Sequence, residues 1–218
     1  DSLHPTGRLG LAVSGGPDSM ALLALAHAVR GDAIAVATVD HGLRPEAARE
    51  CAMVVRVCEQ RAIACDVIRV TVGKGNLQDR ARAARYAALG DWAARQGLNA
   101  IATAHHADDQ LETFLFRLAK GSGLDGLAGM EEWRTRDTIR LYRPLLQMGH
   151  DDLIEYCRHH NLEWIEDPTN INENYARPRL RQTLAQEGLD TKRFAKTLER
   201  LRRGRQALDD IAENVYND

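Results

Sequence analysis

Along residues 1–120, apolar and polar positions alternate in blocks of two kinds. Short apolar runs at 9–13, 33–39, 64–70 and 100–104 have strand length and are bounded by polar or glycine breaks. Between them, at 19–29, 45–60, 77–96 and 108–120, apolar residues recur at helical spacing. Pro45 suits a first helical position and Asn76 an N-cap. Strict alternation of strand and helix predicts right-handed βαβ units. The expected fold is therefore α/β: a doubly wound, mostly parallel five-stranded sheet with helices on both faces. The fifth strand is expected at 139–142. The glycines at 121–129 read as a connection too loose for a core element. A helix is expected at 151–160, with Leu153, Ile154 and Cys157 on one face. Asp167-Pro168-Thr169-Asn170 marks a turn, and from Tyr175 onward the chain reads as helical and basic. This divides the chain into a catalytic domain at 1–185 and a small helical extension or linker at 186–218.

At 218 residues the chain can bury something like 70% of its unfolded surface. Its 44% hydrophobic and 28% charged content are ordinary for a soluble globular protein. No apolar stretch approaches the roughly 18 residues that span a bilayer, so no membrane partner is expected. The four cysteines, Cys51, Cys58, Cys65 and Cys157, form no C-x-x-C pair, which counts against zinc ribbons and thioredoxin-type redox sites. They read as small buried hydrophobes with reduced thiols, as in a cytoplasmic protein. The net charge of −2 hides an asymmetry: residues 177–205 carry ten basic side chains against three acids. Such a segment suits either a polyanionic partner or a solvated helix face, and charge alone does not choose.

Candidate chemistry gathers where strands are expected to end. Ser14-Gly15-Gly16-Pro17-Asp18-Ser19 lies between the first strand and the first helix. A strand turning through glycines into a helix directs backbone N–H groups at one point, with the positive end of the helix dipole behind it. The two serines add hydroxyl donors. The loop is therefore read as a phosphate site, although it is no Walker loop, because no Gly-Lys-Ser/Thr follows. Val39-Asp40-His41-Gly42-Leu43-Arg44 closes the second strand. Backbone groups around Val39 suit adenine, and Asp40 suits a ribose, an amine, a metal or simply the cap of the turn. In His105-His106-Ala107-Asp108-Asp109-Gln110-Leu111-Glu112-Thr113, carboxylates three and four apart share a helix face. They suit Mg²⁺ or an ammonium group. Arg80, Arg82 and Arg85 lie at the start of the third helix, where guanidinium forks suit an α-phosphate.

The loop resembles the pyrophosphate-binding loop of the N-type ATP pyrophosphatases, which cut ATP between its α and β phosphates. Further stretches narrow the resemblance to the tRNA(Ile)-lysidine synthase family. These are residues 39–44, 76–86, 105–113 with Lys120-Gly121-Ser122-Gly123, Arg143-Pro144-Leu145-Leu146, and Glu166-Asp167-Pro168-Thr169-Asn170 followed by the run 177–181. They occur in family order over about residues 8–185. The resemblance implies a two-step reaction. ATP adenylates the wobble cytidine of a tRNA(Ile) with a CAU anticodon at the ring carbon bearing the exocyclic oxygen, releasing pyrophosphate. The amine of L-lysine then displaces AMP. By position, Ser14, Gly15, Gly16, Pro17, Asp18 and Ser19 would hold the pyrophosphate end, with Val39 and Asp40 flanking the adenosine. Arg82 and Arg85 would reach the α-phosphate or the cytidine. Asp109 and Glu112, with His105, would handle lysine or Mg²⁺, with Asp108 and Asp109 the candidate metal ligands. The oligomeric state stays open, a homodimer among the options.

Two departures from the family pattern concern packing or RNA contacts. Gln147-Met148-Gly149-His150 stands where an arginine is often found, and Pro178 interrupts the basic run. Among competing readings, a base-thiolating relative would need a catalytic cysteine pair or an iron–sulfur site, and no cysteine lies in the ATP motifs. A non-catalytic ATP-binding module would need the loop but not the arginines or paired carboxylates.

Overall fold

The computed structural model describes residues 7–42, 45–71, 77–136, 139–166 and 191–217. The readings placed on Leu43, Arg44, Asn76, the 167–170 turn and the 177–181 run lie outside the described residues. Two compact units are present: residues 1–104, 132–145 and 151–167 in one, and 105–131, 146–150 and 168–218 in the other.

The first unit is built on a sheet of six strands. In chain order they are β1 (Leu9–Ala12), β2 (Ile34–Asp40), β3 (Cys65–Arg69), β4 (Ala100–Ala102), β5 (Trp133–Arg136) and β6 (Ile139–Tyr142). Their spatial order is β3-β2-β1-β4-β6-β5. Every neighbouring pair is parallel except β5–β6. Three helices connect the parallel strands: α1 (Pro17–Arg30), α2 (Pro45–Glu59) and α3 (Leu77–Arg95). Helix boundaries fall within two residues of those expected from periodicity. The central strands are apolar on both faces, as a covered parallel sheet requires, and Leu11, Val36, Ala37 and Ile101 are fully buried. Right-handed crossovers on this strand order place α3 on the opposite face from α1 and α2. The chain runs from β1 outward through β2 and β3, then returns past β1 to β4, so the topological switch point lies between β1 and β4.

Beneath α3, Tyr86, Leu89 and Trp92 pack with Ala35, Ala37, Ile101, Ile139 and Leu141. Each large apolar side chain buried here contributes about 1.5–3 kcal/mol. Gly10 makes room for this helix: a Cβ there would stand 2.9 Å from the Trp92 ring and 3.0 Å from Leu98. The Trp92 indole N–H donates to Asp66 Oδ2 at 2.7 Å, so its polar end is satisfied.

Two elements differ from the expectation. The sheet has one strand more than the five read from sequence, because β5 alternates Trp133, Arg134, Thr135 and Arg136 and shows no apolar run. Pairing along β6 and stacking of Trp133 on Tyr142, centroids 4.5 Å apart, hold it. Within the glycine-rich connection lies a one-turn helix, α5 (Leu124–Leu127), closed by the Ala128 N–H donating to the Leu124 carbonyl at 2.9 Å. The expected helix near residue 151 is α6 (His150–His159), with Leu153 and Cys157 fully buried and Ile154 half-buried.

The second unit is helical. It contains α4 (Ala107–Ala119), α5 and α7 (Thr191–Asn217). Phe114 meets Phe194 edge to face at 4.9 Å, and Leu198 is buried. The Gln110 amide donates to the Met130 carbonyl at 2.8 Å and accepts from its N–H at 2.6 Å. Arg117 donates to the Gly126 and Gly129 carbonyls, and Arg202 to those of Ala128 and Met130. Two of the basic residues near the chain's end thus have local work, since Arg205 also pairs with Glu131 at 2.8 Å.

Candidate active site

The loop after β1 leaves the carboxyl edge of the sheet at the switch point. Gly15 adopts φ +91°, a conformation that favours glycine, and a Cβ there would also press on Met53 at 3.3 Å. Gly16 is extended and caps α1, with Pro17 in the first helical position, where its missing N–H costs nothing. The Ser19 hydroxyl organises the loop. Its Oγ accepts from the backbone N–H groups of Ser14 at 3.2 Å and Gly15 at 3.1 Å, and donates to the Gly16 carbonyl at 2.9 Å. From outside, Ile165 N–H donates to the Gly15 carbonyl at 2.9 Å, and the Cys157 thiol lies 3.4 Å from the Pro17 carbonyl. Burial, with the Asp18 carboxylate adding to it, pushes the Cys157 thiol up to about 11. That thiol stays neutral beside the loop.

Asp40 ends β2, and its Oδ1 accepts from the Gly42 N–H at 2.8 Å, so it caps its own turn. Val39 packs partly into the core under α3. His41, which entered the sequence reading only as part of the motif, faces inward. Its Nδ1 is buried without a hydrogen-bond partner among the described residues. Burial lowers its pKa, and Arg85 lowers it further. Arg82 and Arg85 lie one turn apart on α3, with guanidinium carbons 5.2 Å and 5.4 Å from the Tyr86 ring centroid. Burial lowers the pKa of Arg85, opposed by Tyr86. A third guanidinium, of Arg136 on β5, lies over the same ring at 4.6 Å. Sequence reading missed it, because β5 itself was not legible.

The histidine–aspartate motif opens α4 in the second unit. His106 is the N-cap, and its N–H donates to Asp109 Oδ2 at 3.1 Å. Its ring sits between two carboxylates, Nδ1 at 3.3 Å from Asp108 and Nε2 at 3.5 Å from Asp109. It also stacks on His150 at 5.3 Å, whose backbone N–H donates to Asp108 Oδ2 at 2.8 Å. Glu112 is 1% exposed, while His105 is half-buried. Asp109 accepts from the His106 N–H and Asp108 from the His150 N–H, so both carboxylates hold the helix start. Hard oxygen donors remain the right chemistry for Mg²⁺, which binds through one or two carboxylates together with substrate phosphates. The structure brings the loop, Asp40, Arg82 and Arg85 into the first unit, and His105, Asp108, Asp109 and Glu112 into the second.

This parallel sheet with a glycine loop at its switch point defines an ATP-binding protein of the PP-loop class, and the PP-loop domain family matches residues 2–188. A tRNA(Ile)-lysidine synthase from Novosphingobium aromaticivorans is 45% identical over all of this chain and 68% of its own length. Another from Ruegeria pomeroyi is 44% identical over 95% of this chain and 52% of its own length, so the chain spans about half of that relative. The chain belongs to the tRNA(Ile)-lysidine synthase family. Its fold matches that of the U34-tRNA thiolase NcsA from Methanococcus maripaludis, with a TM-score of 0.71 at 15% identity over 91% of this chain and 72% of that one.

Proposed function

We propose that the chain carries the catalytic machinery of an ATP-dependent ligase that converts the wobble cytidine of a tRNA(Ile) with a CAU anticodon to lysidine. Membership in the synthase family over the whole chain carries this reading. In the first step the exocyclic oxygen of the cytidine attacks the α-phosphorus of ATP, and pyrophosphate leaves. The amine of L-lysine then attacks the activated ring carbon, AMP leaves with the oxygen, and the amine loses a proton.

Ser14, Gly15, Gly16, Asp18 and Ser19 hold the pyrophosphate end, supported by the N-terminus of α1. For the Ser14 and Gly15 N–H groups to meet a phosphate, the Ser19 hydroxyl that now accepts them must turn aside or share them. Val39 and Asp40 flank the adenosine. Arg82 and Arg85 offset charge developing on the α-phosphate or position the cytidine. Glu112, with His105 and Asp109, receives the lysine ammonium, and one of these groups takes the amine proton. Mg²⁺ would be held by Asp108 or Asp109 and would neutralise phosphate charge. Residues 1–185 form the catalytic domain and 186–218 a helical extension. Among the described residues no helix is long and apolar enough to cross a membrane, which accords with a cytoplasmic setting.

The adenylation half is tested by pyrophosphate release from ATP and Mg²⁺ without lysine. A tRNA(Ile) transcript with a CAU anticodon should stimulate release well above a transcript whose wobble base is uracil. Equal release with both transcripts would contradict the cytidine as acceptor.

A further inference from the structure

We propose that Arg136, with Arg82 and Arg85, forms a binding site for a backbone phosphodiester of the RNA substrate, a site distinct from the phosphate loop. The inference rests on the ligase reading above, takes for Arg82 and Arg85 the RNA-positioning role of the two that reading names, and adds a residue to it.

The position of Arg136 is unusual for its face. In the β5–β6 ladder, Arg136 stands opposite Ile139 and Arg134 opposite Leu141. Directly paired residues share a face, and Ile139 and Leu141 are buried in the core beneath α3. An apolar residue would suit position 136 on packing grounds. Instead a guanidinium reaches over the Tyr86 ring, where the guanidinium groups of Arg82 and Arg85 already lie.

All three cations stand within 5.4 Å of one ring centroid, and among the described residues none of them pairs with a carboxylate. Arginines elsewhere in the chain do find acids, as Arg56 does with Glu163 at 2.5 Å and Arg205 with Glu131 at 2.8 Å. Like charges gathered without a counter-ion repel one another; the aromatic floor is buried (Tyr86 is 5% exposed) and Arg85 and Arg136 are half-buried, so water screens that pair less than it screens the exposed Arg82. Such a cluster is complementary to an anion, and planar guanidinium forks match phosphate oxygens.

The place on the sheet favours RNA backbone over nucleotide. β5 is the edge strand, three strands from β1, or roughly 14 Å at the usual spacing between strands. An RNA strand carries a phosphate at every residue, and an edge strand is open to a long ligand.

Binding of a labelled anticodon stem-loop with a CAU loop, followed by fluorescence anisotropy across a salt series, tests the proposal. The wild type is compared with R136Q and R136K, and calorimetry of ATP binding and melting temperature are recorded for each. R136Q should bind the RNA about tenfold more weakly, with a salt slope shallower by about one phosphate contact, and should keep ATP affinity and melting temperature. R136K should recover part of the affinity and most of the slope, and it provides the comparison if R136Q melts early. RNA binding by R136Q equal to that of wild type would overturn the inference and leave the ligase reading standing. Loss of ATP affinity with RNA binding intact would also overturn it, by assigning the cluster to the nucleotide. A wild-type protein without affinity for the stem-loop would contradict both.

Discussion

Ser19 and His41 show how far single side chains decide the character of this site. Ser19 reads from sequence as a hydroxyl donor to phosphate, and in the folded chain its hydroxyl also accepts two loop N–H groups. Each such bond contributes roughly 1 kcal/mol net, so the hydroxyl shapes the loop. Spacing cannot reveal that role, because the same Ser-x-x-x-x-Ser pattern serves either use. His41 illustrates a group whose surroundings, not whose type, set its behaviour. Burial and Arg85 lower its pKa from 6.5, so the folded chain takes up this proton less readily than the unfolded one. As the pH falls through the window below 6.5, the unfolded state gains a proton that the folded state does not, and stability drops. Melting temperatures at about pH 7.5 and pH 5.5 should therefore fall more for wild type than for H41Q. Equal falls would show that His41 titrates alike in both states.

At the scale of elements, the legible parts were those with a strong period. The first four strands and the helices between them follow from apolar runs and 3.6-residue spacing; β1, β2 and β4 are covered on both faces, while β3 at the sheet edge keeps its run although Asp66, Val67 and Arg69 are exposed. β5 was not legible because its arginines disguise the alternation, and α5 because glycines at 123 and 126 read as a loop. The basic stretch was ambiguous from charge alone. In α7, Arg202 and Arg205 turn out to bind the carbonyls and the acid of the 128–131 connection. The packing of α7 on α4 has its apolar centre at Leu198, which is 3% exposed. Leu198→Ala should cost about 2–5 kcal/mol and loosen this helix pair. Hydrogen exchange should then show lost protection in α7 and α4, with β1 and β2 amides unchanged. Uniform loss across the sheet would show that the helix pair and the sheet open together.

At the scale of the whole molecule, the fold class and the family were readable because several motifs each sit where a parallel sheet ends a strand. The order of motifs, not any one of them, narrowed the reading from ATP-binding loop to synthase family, and the match of residues 2–188 to the PP-loop domain agrees. What could not be read was which residues share a structural unit. The loop and the arginines belong to one, and the histidine–aspartate motif to the other. Sequence order hides this, because the chain passes between the two units five times. Whether this chain joins lysine to RNA is decided with radiolabelled L-lysine. Incubated with ATP, Mg²⁺ and a tRNA(Ile) transcript bearing a CAU anticodon, the protein should place label on the tRNA, with one AMP and one pyrophosphate formed per lysine. ATP turned over with no label on the RNA would contradict the account.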